Sequence, residues 1–380
     1  MKLFRLILSA CALIMVATIS PAVAQTQKGK LGKIQKYIDD ATGNNLVGVS
    51  VYIKSPKLGK WIGTSGYSDL ENKERLKEND IFGLASIGKM YVAVSTLKLV
   101  EEGKIGLDDK IQNYLPQEII DGFATAKNVT VRHLLGHTSG LYNYNRNPEL
   151  NELYLSGNLK LDTLSHMDAL RKYAYGIQGH TKPLGEYKYS STNYLLLSMI
   201  MDTVVQKGHE KFIREDIIEK YNLKDTYYKQ TPPKRLVDHY GDIDLNSITE
   251  NLSAQTIETT NWYSGDDGVY ASIEEAANFL ERLMKGEILG DEILKEMMTW
   301  NDEKKPDYGL GLMADKAFPY KFLMGHSGRG IGITTDLYYF PHQDMTVVIF
   351  CNSGLRSASK EYAKTYYKMR NRIIKKLFLF

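Results

Sequence analysis

A serine followed three residues later by a lysine is the most chemically suggestive pairing in this sequence. Across one helical turn, the lysine amine can take the proton of the serine hydroxyl and make it a nucleophile. The chain contains this spacing three times, at Ser86 and Lys89, Ser95 and Lys98, and Ser357 and Lys360. The spacing alone therefore does not identify a site, and two of the three matches must be accidental.

The surroundings of Ser86 distinguish it from the other two serines. Ser86 follows the strand-like segment 81–84 and opens an apolar helix that runs to about Glu102. Its hydroxyl would lie at a helix N-terminus, where unpaired N–H groups favour developing negative charge. Ser95 lies about 900° of helical rotation further on, on the opposite face, and Ser357 falls in a polar, basic helix. On these grounds alone, a plain N-cap role for Ser86 remains the alternative.

Three further motifs follow in order along the chain. They are the stretch His133–Leu141, Tyr189-Ser190-Ser191 before an apolar helix, and His326-Ser327-Gly328 after a strand-like segment. Together with Ser86 and Lys89, they make the sequence resemble the serine β-lactamase and DD-peptidase superfamily, in its class C and carboxypeptidase branch. The resemblance covers about residues 30–353, including the stretches 86–116, 268–280 and 308–311.

The resemblance implies a catalytic set of four side chains and no metal or cofactor. Ser86 would attack a carbonyl carbon and form an acyl-enzyme. Lys89 would accept its proton and Tyr189 would pass a proton to the leaving group, although which of the two accepts first stays open. His326 would orient the substrate or supply positive charge near Tyr189. The backbone N–H groups of Ser86 and Arg329 would form the oxyanion hole.

Two departures from the family pattern bear on the substrate. Ser191 stands where this branch usually has the asparagine that holds an acyl amide, and serine has a shorter reach and fewer donors. His326-Ser327-Gly328 stands where class C β-lactamases generally have Lys-Thr-Gly, and a histidine there is found in DD-peptidase and esterase-like relatives.

The expected function is therefore a hydrolase acting on an amide or ester. We expect it to be DD-carboxypeptidase-like or esterase-like, with a small molecule or a peptidoglycan-like peptide as substrate. The alternatives are a class C β-lactamase and a slow-turnover penicillin-binding sensor. The predicted substrate-binding and oxyanion residues are Ser191, Ser327, Gly328 and Arg329. The Arg329 side chain would either meet a substrate carboxylate or face solvent.

The elements that must position these residues follow a strand, helix, strand order. A helix over 29–42 and strands over 46–53 and 60–67 come first, and helices over 164–175, 192–205, 211–221 and 273–284 occupy the middle. Strands over 310–315, 322–325, 333–340 and 345–352 and a helix over about 357–377 come last. This order predicts an α/β (α+β) fold: an antiparallel sheet flanked by N- and C-terminal helices, with an inserted, mostly helical domain. The resemblance implies that the fold is of the β-lactamase/transpeptidase-like type. We expect a sheet lobe at about 29–100 and 305–380, a helical lobe at about 101–304 and a site in the cleft between them.

The N-terminal segment has the pattern of a secretory leader. Lys2 and Arg5 precede an apolar run over 6–19, and Ala22-Val23-Ala24 supplies the small residues that signal peptidase cleaves. We therefore predict a signal peptide over 1–24, a hydrolase domain over 25–380 and a periplasmic or secreted protein. Lipid attachment at Cys11 is the less favoured alternative, because it leaves about three apolar residues before the cleavage point where roughly seven are needed.

The remaining features argue against several other kinds of partner. A formal net charge of +3 gives no footprint for nucleic acid. Cys351 fits a small buried hydrophobe, and neither a disulfide framework nor a thiolate metal site is expected. His133 and His137 stand four apart as metal ligands can, but no glutamate lies between them in metalloprotease fashion and no third ligand is evident, so we assign them structural roles.

The last helix is basic and amphipathic and ends in Leu377-Phe378-Leu379-Phe380. Such a helix can lie on an anionic membrane. We favour the alternative that its apolar side packs on the sheet; this side includes Tyr362, Tyr366, Met369 and Ile373. The sequence predicts no oligomeric state.

Overall fold

The computed structural model describes residues 21–378 except 157, 159–160, 162, 178–181, 245, 247–248, 303–306, 319–320 and 356–359. Most of the predicted signal peptide, Cys11, Ser357 and residues 379–380 therefore lie outside the described residues, and the leader and its processing stay predictions. Within the described part, the helices are α1 Pro21–Thr42, α2 Gly88–Glu101, α3 Gln117–Gly122, α4 Val131–Leu135, α5 Pro148–Leu155, α6 His166–Tyr173, α7 Ser191–Val204, α8 His209–Ile213, α9 Ser253–Trp262, α10 Ile273–Met284, α11 Asp291–Met297 and α12 Lys360–Phe378. The strands are β1 Gly48–Ser55, β2 Gly59–Asp69, β3 Glu74–Arg75, β4 Ile81–Gly83, β5 Thr226–Tyr228, β6 Tyr240–Gly241, β7 Glu250–Asn251, β8 Val269–Ser272, β9 Met313–Phe318, β10 Lys321–Arg329, β11 Thr334–Phe340 and β12 Met345–Cys351.

The main sheet is built from strands at both ends of the chain. Its order is β3-β2-β1-β12-β11-β10-β9, and the neighbouring strands pair antiparallel. The first and last of the long strands meet in the middle, where Val49 of β1 lies opposite Cys351 of β12. The predicted antiparallel sheet with flanking terminal helices is therefore confirmed.

One face of the sheet is covered by α1 and α12. Alternation along β1 directs Val49, Val51 and Ile53 into this layer, while Tyr52 faces the other way. The apolar side of α12 is buried here, including Tyr362, Tyr366, Met369 and Ile373. The prediction that this helix packs on the sheet is confirmed. Among the described residues, no helix has both the length and the apolar character needed to cross a bilayer.

The other face of the sheet carries the mostly helical middle of the chain. Helix α10 packs on β1, β11 and β12, and it begins where the Ser272 hydroxyl accepts a hydrogen bond from the Glu275 N–H at 3.3 Å. The predicted helix over 211–221 is shorter as an α-helix, because α8 continues as a π-helical stretch, Arg214–Glu219. The exact division of the chain into a sheet lobe and a helical lobe stays a prediction.

A small three-stranded sheet, β4-β8-β5, was not expected as a unit. Its strands come from three distant parts of the sequence, and Gly83 of β4 lies opposite Tyr270 of β8. The pairing continues one residue further, where the Leu84 N–H donates to the Val269 carbonyl at 2.8 Å. The segment that follows β4 is therefore held beside the segment that precedes β8.

Candidate active site

Ser86 lies in a tight turn between β4 and α2. The turn is a single 3-10 turn, Ala85–Ile87, and Ala85 has a φ of +48°. This left-handed conformation costs a residue with a Cβ about 1–2 kcal/mol, so the surrounding structure must hold it in place. Ser86 is partly exposed, whereas residues 81–85 and 87–99 are buried. The turn thus presents one hydroxyl on a rigid, buried support.

The Lys89 amine points inward toward Ser86. Its side chain is 1% exposed, and Nζ donates to Ser86 Oγ at 3.2 Å. Nζ also donates to the main-chain carbonyl of Asp266 at 2.9 Å and lies 4.0 Å from Asp266 Oδ2. A buried amine within hydrogen-bond distance of a serine hydroxyl is the arrangement that serine activation requires.

The two competing Ser-x-x-Lys matches do not share this geometry. Ser95 is buried within α2, and its hydroxyl has no hydrogen-bond partner in the described part of the chain. Ser357 lies outside the described residues. Of the described matches, the structure pairs the serine and lysine only at Ser86 and Lys89.

Tyr189 faces the same amine from the segment before α7. Its ring centre lies 5.3 Å from Lys89 Nζ, and its hydroxyl is buried with no hydrogen-bond partner among the described residues. The Tyr189 ring packs on His137, with ring centres 4.2 Å apart. The hydroxyl is therefore free to bond to a bound molecule.

His137 is a site residue that the sequence analysis treated as structural. It is fully buried, and Nδ1 accepts from the Ser190 N–H at 3.2 Å and lies 3.3 Å from Asn193 Nδ2. Nε2 then carries the proton, and it has no partner in the described structure. His133, by contrast, bonds through Nδ1 to Thr130 at the start of α4, so the two rings serve different purposes.

His326 lies on β10 with a lowered pKa, which favours the first of its two expected roles, orientation of the substrate, over the supply of positive charge. Burial and the nearby Lys89 cation lower the pKa of His326 to about 3. Its Nδ1 donates to the Ser327 carbonyl at 2.8 Å, and its Nε2 accepts from the Tyr308 hydroxyl at 3.0 Å. The ring centres of His326 and Tyr189 are 6.3 Å apart. The imidazole can orient a substrate, but it carries no charge at neutral pH.

Gly328 lets β10 pass directly against the Ser86 turn. A Cβ at this position would lie 2.3 Å from the Leu84 carbonyl oxygen and 3.0 Å from the Ala85 Cβ. On the same side, the Thr335 hydroxyl donates to the Leu84 carbonyl at 3.0 Å. In the described part of the sheet, β9 pairs with β10 only as far as Gly325, which leaves the edge of residues 326–329 beside Ser86 without a strand partner on that side.

The Arg329 guanidinium is bound within the protein, although its side chain is 26% exposed. It bonds to Asp336 Oδ1 at 2.7 Å and to the Gly328 and Thr335 carbonyls at 2.7 Å. Asp336 is fully buried and also pairs with Arg370 of α12 at 2.9 Å. These bonds compete with the predicted contact between Arg329 and a substrate carboxylate.

Ser191, at the family's asparagine position, is the first residue of α7 and is 5% exposed. Its hydroxyl helps to lower the pKa of the buried Asp266 carboxyl. Ser327, the other predicted binding serine, is partly exposed and places Oγ 3.5 Å from Met313 Sδ. Ser191 thus faces the Asp266 carboxyl, while Ser327 remains available to a substrate at the surface of β10.

The sequence matches a known protein family. The family model described as Beta-lactamase matches residues 35–368. The chain belongs to the β-lactamase family of serine hydrolases.

Individual relatives of this β-lactamase family member are distant. Penicillin-binding protein 4* of Bacillus subtilis (strain 168) is 26% identical over 327 residues, covering 81% of this chain and 68% of that protein. Protein flp of Staphylococcus aureus (strain NCTC 8325 / PS 47) is 25% identical over 292 residues, covering 76% of this chain and 56% of the relative. The chain spans little more than half the length of flp.

A solved structure shows the same fold. D-amino acid amidase from Ochrobactrum anthropi SV3, complexed with D-phenylalanine, superposes with a TM-score of 0.76 at 21% identity, covering 92% of this chain and 99% of that chain. The match extends over both the sheet and the helical middle. At this identity the likeness establishes the fold, and the substrate has to be argued from the site.

The sequence analysis missed three residues at the site. Tyr308 lies in a stretch that contributed only to the family resemblance, yet its hydroxyl bonds to His326. His137 was set aside with His133, and Asp266 was not considered. The available signal for Asp266 was a pair of aspartates before Gly268, directly ahead of a capped helix.

Proposed function

We propose that the protein is an exported serine hydrolase that cleaves an amide or ester through an acyl-enzyme at Ser86. The observation that carries the proposal is the Lys89 amine, buried and 3.2 Å from Ser86 Oγ. Export is proposed from the leader pattern over 1–24.

In the proposed reaction, Ser86 Oγ attacks the carbonyl carbon of the substrate. Its proton passes to Lys89 or Tyr189, and the oxyanion is stabilised by the Ser86 and Arg329 main-chain N–H groups. Tyr189 then protonates the leaving group, and water hydrolyses the acyl-enzyme by the reverse proton path. The close contact of Gly328 with the Ser86 turn supports this use of β10.

Three unpartnered polar groups support a substrate with several hydrogen-bonding atoms. Tyr189 Oη, Ser190 Oγ and His137 Nε2 are buried without partners among the described residues. Buried polar groups are normally paired, so a bound substrate would satisfy them. The unpaired edge of β10 at residues 326–329 supports an extended, peptide-like or ester chain lying alongside it.

The charges at the site favour an amidase or esterase over a carboxypeptidase. A carboxypeptidase substrate has a terminal carboxylate that needs a cationic partner. His326 is neutral and the Arg329 guanidinium is bound to Asp336. We therefore propose a substrate whose leaving group carries no free carboxylate, and we do not favour a β-lactam.

The nucleophile can be tested by intact-mass analysis after exposure to a fluorophosphonate. Wild-type protein should gain one adduct and Ser86→Ala none. Ser95→Ala is the matched control, because Ser95 has the same spacing to a lysine; it should react like wild type. Absence of an adduct on wild-type protein, or an undiminished adduct on Ser86→Ala, would refute the proposal.

The substrate class can be tested with time courses on p-nitrophenyl esters, D-amino acid amides, a peptide ending in D-Ala-D-Ala, and nitrocefin. Steady turnover of the esters or amides, well above the other two, is expected. Faster nitrocefin hydrolysis would instead indicate a β-lactamase. A single burst without turnover would indicate a penicillin-binding sensor.

A further inference from the structure

The turn over residues 265–268, called the Asp266 turn below, lies beside Lys89. Strand pairing in the small β4-β8-β5 sheet places it there. β4 leads into the Ser86 turn, and β8 follows the turn over residues 265–268. Since β4 and β8 pair side by side, the two turns emerge next to each other. Asp266 is 3% exposed, and its main-chain carbonyl and its carboxyl both face the Lys89 amine, at 2.9 Å and 4.0 Å.

The Asp266 carboxyl is surrounded by donors. Asn145 Nδ2 donates to Oδ2 at 3.1 Å, and the Tyr144 hydroxyl donates to Oδ1 at 3.5 Å. Burial raises the pKa of Asp266 above its usual value, and the Lys89 cation and the Ser191 hydroxyl oppose this rise only in part. Donors approach both oxygens, and an ionised carboxyl can accept at both of them.

We propose that Asp266 is the positioning residue of Lys89: its main-chain carbonyl fixes the amine beside Ser86, and its carboxylate places a negative charge 4.0 Å from that amine. This inference rests on the proposed function, because it assigns Lys89 a part in the acylation of Ser86. The carbonyl and the carboxylate of Asp266 contact the same amine that donates to Ser86 Oγ. Asp266 acts through Lys89 and does not itself contact the reacting atoms.

The departure at Ser191 gains an explanation from this arrangement. Ser191 is directed to the Asp266 carboxyl instead of reaching toward a substrate amide. Tyr144 also links the start of α7 to Asp266, because its N–H donates to Thr192 Oγ1 at 3.1 Å and its hydroxyl donates to Asp266 Oδ1 at 3.5 Å.

Other ionisable groups near the pair do not supply the same charge. His137 and His326 have pKa values lowered by burial and by Lys89, and burial also lowers the pKa of His166, so all three are neutral at pH 7. Lys229 bonds to the Tyr263 carbonyl at 3.0 Å. Burial raises the pKa of Asp267 to about 7, and its carboxyl accepts from the Gly268 N–H at 2.7 Å. Among the described residues, Asp266 is the one whose carboxylate lies within 4.0 Å of the Lys89 amine.

The test is the pH profile of the fluorophosphonate labelling rate, measured for wild type and for Asp266→Asn, which keeps the size and the main-chain carbonyl. The substitution removes the negative charge that lies 4.0 Å from the Lys89 amine. Whether acylation needs the amine neutral or charged, the profile should then move toward acid, by about one pH unit or more for a charge pair at this distance. A merely structural role would lower the rate without moving the profile.

Two further variants complete the experiment. Asp267→Asn is the matched control on the same turn, and it should shift the profile by less than half as much. Tyr144→Phe removes one donor to the carboxylate and should shift the profile in the same direction by less; it decides the question if Asp266→Asn does not fold. An unshifted profile in the folded variants, or an equal shift in Asp267→Asn, would overturn the inference while wild-type labelling still upheld the proposed function.

Discussion

At the scale of single residues, His326 shows how burial decides what a side chain can do. The third motif of this family often carries a lysine, whose charge can attract an anionic substrate. The histidine here is completely buried, and both ring nitrogens are engaged, one as donor to Ser327 and one as acceptor from Tyr308. His326 therefore contributes a ring of fixed orientation to the site and no net charge.

The neutral state of His326 can be observed directly. Because its pKa is lowered to about 3, the ring should remain neutral, protonated at Nδ1, throughout pH 8 to pH 5. Long-range ¹⁵N NMR of the histidine side chains would report this tautomer. An imidazolium signal from His326 at pH 6 would contradict the structure. Loss of the assigned signal in a His326→Gln variant would confirm the assignment.

At the scale of elements, the site depends on three segments that approach one another closely. The Ser86 turn, the Asp266 turn and β10 are brought together by β4 pairing with β8 and by Gly328 lying against Leu84. The second of these contacts has no room for a side chain. Backbone packing therefore determines where the proposed oxyanion donors lie relative to Ser86, the proposed nucleophile.

Gly328→Ala tests this contact. The added Cβ would lie 2.3 Å from the Leu84 carbonyl oxygen and from Thr335 Oγ1, so β10 must move away from the Ser86 turn. A misplacement of about 1 Å typically costs about 10²-fold in rate, and we expect a loss of that order in the fluorophosphonate labelling rate. Overpacking of this kind typically costs about 1–3 kcal/mol of stability, which a melting curve would register.

Gly32→Ala is the control for that substitution. Gly32 lies in α1, and a Cβ there would meet nothing within 4 Å. This variant should label at the wild-type rate and be slightly more stable, because alanine favours helix over glycine. Unchanged labelling of Gly328→Ala would show that the close approach of β10 does not position the site.

At the scale of the whole molecule, several buried neutral histidines link stability to pH. His239 is fully buried, and neither ring nitrogen has a hydrogen-bond partner among the described residues. Burial lowers its pKa from 6.5 to about 4. Between these values the unfolded chain binds the proton and the folded protein does not, so the stability due to the neutral ring is fully present above about pH 6.5 and is lost as the pH falls toward 4.

The substitution His239→Leu isolates the contribution of His239 to the pH dependence of stability. Wild type should lose about 2 kcal/mol more than His239→Leu in free energy of unfolding between pH 7 and pH 5. Urea unfolding at the two pH values measures the difference. The comparison cancels the opposite effect of Asp267, whose raised pKa is common to both proteins. Equal pH dependence in the two proteins would refute the burial of a neutral His239.

The sequence by itself determined the order of elements, the antiparallel sheet with terminal helices, and the spacing of Ser86 and Lys89. These features follow from local information: hydrophobic periodicity, turn residues and motif spacing. The Tyr189 and His326 motifs were identified through the resemblance to the family. The small β4-β8-β5 sheet was missed, because short strands are stabilised by partners that are distant in sequence. The π-helical end of α8 was also missed.

Only the tertiary structure decided the ionisation and the partners of the site residues. His326 is neutral, Arg329 is bound to Asp336, His137 packs on Tyr189, and Asp266 faces Lys89. Burial and nearby charge determine protonation, and both depend on which chain segments pack together. A sequence motif names the groups that can react, whereas the packing around them determines their charge and the direction in which they point.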